Sequence, residues 1–266
     1  MRFVFFFFFV LTICFLTVSS ISTTNCKLEK ENHLYLSYCY ERNGDFDLSI
    51  DSLAKLNKDN FDNVADFIAY RKIKLLSSYQ IKSNQIQGEI NKFKLIHKKS
   101  VLLPKIEIIE AERLLAKKSY QFLDNHLRGI DKKYNLENSN RLYFDFIKAR
   151  NLEKLNNLGQ SLEIFKKIWI NYPRFKTQFV SKKVDALSKK SNKKISSNDL
   201  ELRLNSLFKN GVYKQFMKES KNVKDPGIKI MVALIKIKSQ KRNEGRGILK
   251  DISEGGFNST GSSSRD

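Results

Sequence analysis

SNRLYFDFIKARNLEKLNNLGQSLEIFKKIWINYP, from Ser139 to Pro173, is the stretch that decides the fold. Leu162, Phe165, Trp169 and Tyr172 recur at three and four residues, which is the spacing of one helix face. Asn157 to Gly159 breaks the pattern, so a second helix precedes this one. Small Ala149 and Ser161 allow the two helices to approach closely. Phe165 fills the groove between them, and Pro173 ends the second helix because it has no N–H to donate. Working outward, Ile108, Ala111 and Leu115 form another stripe of the same period. Breakers fall between stripes at Asn43-Gly44-Asp45, Tyr172-Pro173 and Asn210-Gly211. Pro104 and Pro226 sit at first-turn positions, the latter behind Asp225 as N-cap, and Asn198 with Glu201 has the spacing of a capping box. About 12 or 13 short helices result, at ordinary helix lengths. No stretch sustains a period of two, so the chain reads as all-α.

The order of a small residue, a large one four later and proline eight further on resembles the second helix of a tetratricopeptide repeat. The same phase recurs at Tyr40, Gly44, Phe46, Ser49 and Leu53, and again at Leu207, Gly211, Tyr213 and Phe216. The resemblance implies a right-handed α-α superhelix of degenerate helix pairs, with Ala149, Ser161, Phe165, Trp169 and Pro173 in its repeat core. Domain organisation follows as a leader over 1–20, a helical-repeat domain over 21–253 and a serine- and glycine-rich tail over 254–266.

The 266 residues suffice to bury a real core, and 41% hydrophobic with 29% charged is a globular balance that excludes wholesale disorder. The net charge is +21. Lys outnumbers Arg by 37 to 12, and Lys, Asn, Ile and Phe crowd the chain. That bias has two readings: an AT-rich genome that leaves a solvated basic surface, or selection for an anionic partner. The lysines read as scattered over the whole length. A nucleic-acid surface more often uses the planar fork of Arg, so no nucleic acid is expected.

Arg2 supplies one positive charge, Phe3 to Val18 carries none, and Val18-Ser19-Ser20 has the small residues of a signal-peptidase site, with cleavage after Ser20. The alternative is an uncleaved anchor, although the apolar run is shorter than the roughly 20 residues that span a bilayer. A periplasmic or secreted location follows, with membrane contact only through an uncleaved leader. Cys14 leaves with the leader, so Cys26 and Cys39 remain. They can close one disulfide in an oxidising compartment or stay as half-buried thiols. His33, His97 and His126 have no zinc-type spacing, so neither a metal nor another cofactor is expected. Phosphate loops, nucleophile elbows and metalloprotease motifs are lacking. Asn258-Ser-Thr260 matches a glycosylation acceptor.

A second resemblance rests on four pieces in order: Asp59 to Tyr70, Phe165 to Pro173, Ser196 to Arg203 with Leu207, Phe208, Gly211 and Tyr213, and Lys241-Arg242 before an Ile- and Leu-rich helix. Over about 28 to 253 these are similar to the N-terminal α-superhelix of soluble lytic transglycosylases. That family cleaves peptidoglycan in a C-terminal lysozyme-like domain, opened by a Glu-Ser pair and followed by a Gly-Leu-Met-Gln type motif. Here Glu219-Ser220 is present without that motif, and Glu219 reads as a solvated helix-end residue. No catalytic residue is therefore expected. The expected role is an exported, non-catalytic scaffold that binds peptidoglycan or an envelope protein. The alternative is the N-terminal part of a lytic transglycosylase whose catalytic domain lies outside this chain.

Overall fold

A computed structural model of the chain describes Cys26 and residues 32–56, 64–79 and 83–258. The leader with Ser20, the 59–63 part of the second resemblance and the end of the tail at 259–266 lie outside the described residues. Among the described residues there are thirteen α-helices and no strand. They are α1 (His33–Asn43), α2 (Phe46–Leu56), α3 (Ala65–Ser78), α4 (Ser83–Ile96), α5 (Leu103–Ala116), α6 (Tyr120–Lys133) and α7 (Asn138–Lys154). The series continues with α8 (Leu158–Asn171), α9 (Thr177–Lys190), α10 (Ser197–Lys209), α11 (Tyr213–Glu219), α12 (Pro226–Lys238) and α13 (Arg242–Asn258). The last helix thus runs four residues past the expected start of the tail. The chain forms two compact units, Met1–Arg113 and Leu114–Asp266, divided within the last turn of α5.

One turn geometry builds half of the connections between consecutive helices. Gly44, Asn156 and Gly211 have φ of +85°, +61° and +69°. In each case the next N–H reaches back five residues to a helix carbonyl: Asp45 to Tyr40 at 2.9 Å, Asn157 to Leu152 at 2.8 Å and Val212 to Leu207 at 2.9 Å. This is the left-handed helix stop, which satisfies carbonyls that the helix end leaves bare. The same closure follows Lys118, Asn192 and Gln240, through Ser119 to Leu114, Lys193 to Ser188 and Lys241 to Lys236. Asn tolerates this conformation, whereas Lys and Gln adopt it at a cost of about 1–2 kcal/mol. Two of the six turns, at Lys118 and Gln240, therefore offered the sequence no Gly or Asn signal to match.

In α1/α2, α7/α8 and α12/α13 the helices meet at a fixed register from that turn residue, seven before it and five after it. In α1/α2 the Ser49 hydroxyl donates to the Ser37 carbonyl at 2.7 Å. In α7/α8 the Ser161 hydroxyl donates to the Ala149 carbonyl at 2.8 Å. In α12/α13 the pair is Ala233 and Gly245, so close that a Cβ on Gly245 would stand 2.7 Å from the Ala233 carbonyl oxygen. The α10/α11 pair inverts the rule. Leu204 and Phe216 fill the small positions, and buried Ser220 stands where Leu53 and Phe165 stand in the other hairpins. Along α11, Phe216 and Ser220 thus exchange large and small relative to the other hairpins.

In the second unit, α7, α8 and α9 share a core of Phe146, Leu162, Phe165, Ile168, Trp169, Val180, Val184 and Leu187. Ala149, Ser161 and Phe165 are fully buried, Trp169 is 5% exposed and Pro173 is buried just past the end of α8. Each such large side chain contributes about 1.5–3 kcal/mol of burial. Asp225 caps α12 by accepting from the Ile228 N–H at 2.8 Å, with Pro226 in the first turn. The capping box before α10 is Ser196 with Asp199, two residues earlier than the expected Asn198 and Glu201. Ser196 has the extended backbone (φ −71°, ψ 157°) that aims its short side chain at the Asp199 N–H. In the first unit a disulfide joins Cys26 to Cys39 of α1, and Asn43 Nδ2 donates to Cys26 Sγ at 3.2 Å.

A candidate binding cleft in the second unit

Ends of α8, α9, α10 and α11 enclose a cleft of about 560 Å³. Its apolar lining is Trp169, Ile195 and Leu200, and its polar lining includes Gln178, Ser181, Asp185, Gln215 and Glu219. Lys182 and Lys218 stand on its exposed rim.

A hydrogen-bonded network forms one wall. Trp169 Nε1 donates to Ser181 Oγ at 3.1 Å, and Ser181 Oγ donates to Glu219 Oε1 at 3.2 Å. Gln215 Nε2 donates to the same oxygen at 2.6 Å. Arg203 donates from Nε to Glu219 Oε2 at 3.2 Å, and its Nη1 donates to the carbonyl of Trp169. The Arg203 side chain is 1% exposed and that of Glu219 13%. Burial pushes the Arg203 guanidinium down from its usual value, and the hydrogen bond and charge of Glu219 oppose that shift. The ring of Trp169 lies 5.2 Å from the guanidinium carbon, which adds a cation–π contact.

Glu219, at the end of α11, is thus corrected from a solvated residue to the largely covered acceptor of a network that ties α8, α9, α10 and α11 together. The sequence hid this because its main partner, Arg203, lies sixteen residues away on another helix. Among the described residues, the hydrogen-bond partners of the carboxylate are all donors. The geometry makes Glu219 a brace of the cleft wall.

The charge is not spread evenly, contrary to the linear reading. The second unit holds 33 Lys and Arg against 15 Asp and Glu, a net of +18. The first unit holds 16 against 13, a net of +3. A boundary within a helix, without a Pro- or Gly-rich linker, concealed the asymmetry. Part of the basic charge is consumed internally: Lys183 pairs with Glu153 at 2.7 Å and Lys166 with Asp199 at 2.8 Å. Lys182 and Lys218 make no ion pair among the described residues.

Comparison with protein-family models, with characterised proteins and with solved structures finds no match to this chain. Among the described residues no helix is long and apolar enough to cross a membrane.

Proposed function

We propose that this protein is an exported, non-catalytic helical-repeat scaffold whose second unit holds an anionic partner, either peptidoglycan or an envelope protein. The observation that carries the reading is the +18 charge of 114–266, with Lys182 and Lys218, which make no ion pair among the described residues, at the rim of a polar cleft. Lysines without internal partners remain available to external carboxylates, and such groups attract anions over the Debye length of about 8 Å at physiological salt. Peptidoglycan stem peptides carry carboxylates, so they meet that requirement. Export is supported by the charge-free run Phe3 to Val18 ahead of Ser20 and by the Cys26–Cys39 disulfide, a bond that persists in oxidising compartments. The second reading, a lytic transglycosylase N-terminal region, draws support from the ordered resemblance over about 28 to 253.

Sedimentation with purified sacculi, followed by chromatography of the soluble fraction, tests the proposal. The expected result is retention that weakens as salt rises, with no anhydromuropeptides released. Absence of retention at low salt rejects the scaffold reading, and release of anhydromuropeptides rejects the non-catalytic one.

A further inference from the structure

A second concavity in the same unit lies between α11, α12 and α13, with a volume of about 400 Å³ and with Met217 and Ser220 of the α11 end in its lining. Its floor is aliphatic: Val223, Ile228, Val232, Ile248 and Ile252 line it. Lys221, Lys229 and Lys236 stand around that floor, with Asp251 as the one carboxylate among the lining residues. Lys236 is engaged by Glu244 at 2.8 Å, whereas Lys221 and Lys229 make no ion pair among the described residues. Two of the helices that flank it are closely apposed, since Gly245 admits α13 against Ala233 and Ile237 of α12.

The chemistry of this groove selects its occupant. Beyond the charged rim the lining offers a sugar or a base only the Ser220 hydroxyl, so a glycan strand or a nucleic acid would leave the five aliphatic side chains unused. A second copy of this unit would bring another +18 against the same lysines, which opposes self-association. A concave floor does not insert into a lipid surface. What matches both features is a peptide that alternates aliphatic anchors with carboxylates. We infer that the α11–α13 groove docks an acidic segment of a partner protein, with two or three aliphatic side chains on the Ile228–Ile248–Ile252 floor and its carboxylates on Lys221 and Lys229. This is the ordinary division of labour at peptide grooves, where apolar anchors give affinity and rim charges give selection.

The inference rests on the scaffold reading, and one set of measurements separates their failures. The probe is a fluorescent peptide of about 16 residues in which Leu recurs at helical spacing among Glu and Ala. Its controls are a peptide with Ser in place of Leu and one with Lys in place of Glu. Anisotropy is read on the full chain and on the Lys221→Glu/Lys229→Glu variant, with thermal unfolding confirming that the variant is folded. Isoleucine methyl NMR locates the contact. The expected result is binding of the Glu/Leu peptide alone, weakened at least about tenfold by the double substitution, with shifts at the methyls of Ile228, Ile248 and Ile252. Equal binding of the Ser peptide, shifts confined to Ile195, or no binding overturns the groove assignment. Sacculus retention by the same variant is measured in parallel. Retention without peptide binding removes only the groove, and loss of both in the unaltered chain removes the scaffold reading as well.

Discussion

Removing the charge of Glu219 while keeping its shape should destabilise the second unit by about 3 kcal/mol. Glu219→Gln retains an amide oxygen for Gln215 and Ser181, so the hydrogen bonds at 2.6 and 3.2 Å have a surviving acceptor. What it removes is the counter-charge of Arg203, whose side chain is only 1% exposed. Breaking a buried pair from one side typically costs 3–5 kcal/mol, because the other charge stays desolvated. The low end applies here because the Trp169 carbonyl still accepts from Arg203. Arg203→Met leaves Glu219 partly exposed and still bonded to two donors, so about 2 kcal/mol is expected. Arg203→Met with Glu219→Gln removes both charges and should cost only about 1–2 kcal/mol, chiefly the lost bond to Trp169. The resulting coupling is about 3–4 kcal/mol. Urea unfolding followed by far-ultraviolet circular dichroism and by the fluorescence of Trp169, the single tryptophan, measures it. A coupling within about 0.5 kcal/mol of zero would refute the network as the brace of the cleft.

Other perturbations test other levels of the account. Gly245→Ala should cost about 1–3 kcal/mol in the same urea assay, because the new Cβ would stand 2.6 Å from Ile237 Cγ1 and 2.7 Å from a backbone oxygen; Gly247→Ala, with open space around it, should not. Burial raises the Asp199 carboxyl, but hydrogen bonds from Lys166 and Ser196 outweigh it and leave the group below its ordinary value. Its contribution is therefore complete above the unfolded aspartate value of about 3.9 and is lost as pH falls through the lower folded value. Asp199→Asn should flatten that acid limb in a pH series of thermal melts. Replacing Cys39 by Ser opens a loop with a sequence separation of 13 and should lower the stability of the first unit by about 2–3 kcal/mol, read by hydrogen exchange in α1 and α2.

The α7/α8 hairpin was legible because its turn and its small and large residues lie within one continuous stretch. The same rule at Ala233 and Gly245 was missed. Helix α12 is apolar nearly all round, so it shows no stripe, and its turn residue is Gln240 instead of Gly or Asn. In α10/α11 the exchange of Phe216 with Ser220 blurs the pattern while both residues stay buried. Lys182, Lys218 and Glu219 were visible as residue types, but their meeting at one cleft depends on how α9 and α11 pack around α10, which no local pattern encodes. Glu219 shows the limit most clearly. The Glu-Ser dipeptide drew attention to the right residue, and only the three-dimensional position of Arg203 reveals that the carboxylate is engaged.

The most direct test of the central claim asks whether the position of the charge matters or only its sum. Lys182→Glu/Lys218→Glu on the cleft rim and Lys98→Glu/Lys99→Glu in the exposed turn after α4 change the net charge by the same amount. Retention on sacculi of the two folded variants is compared at low and physiological salt. The account predicts that the rim pair loses about tenfold in retention, equivalent to about 1.4 kcal/mol, while the first-unit pair stays near the unaltered chain. Equal losses would mean that bulk charge alone carries the binding, and undiminished retention by the rim variant would contradict the cleft as the functional site.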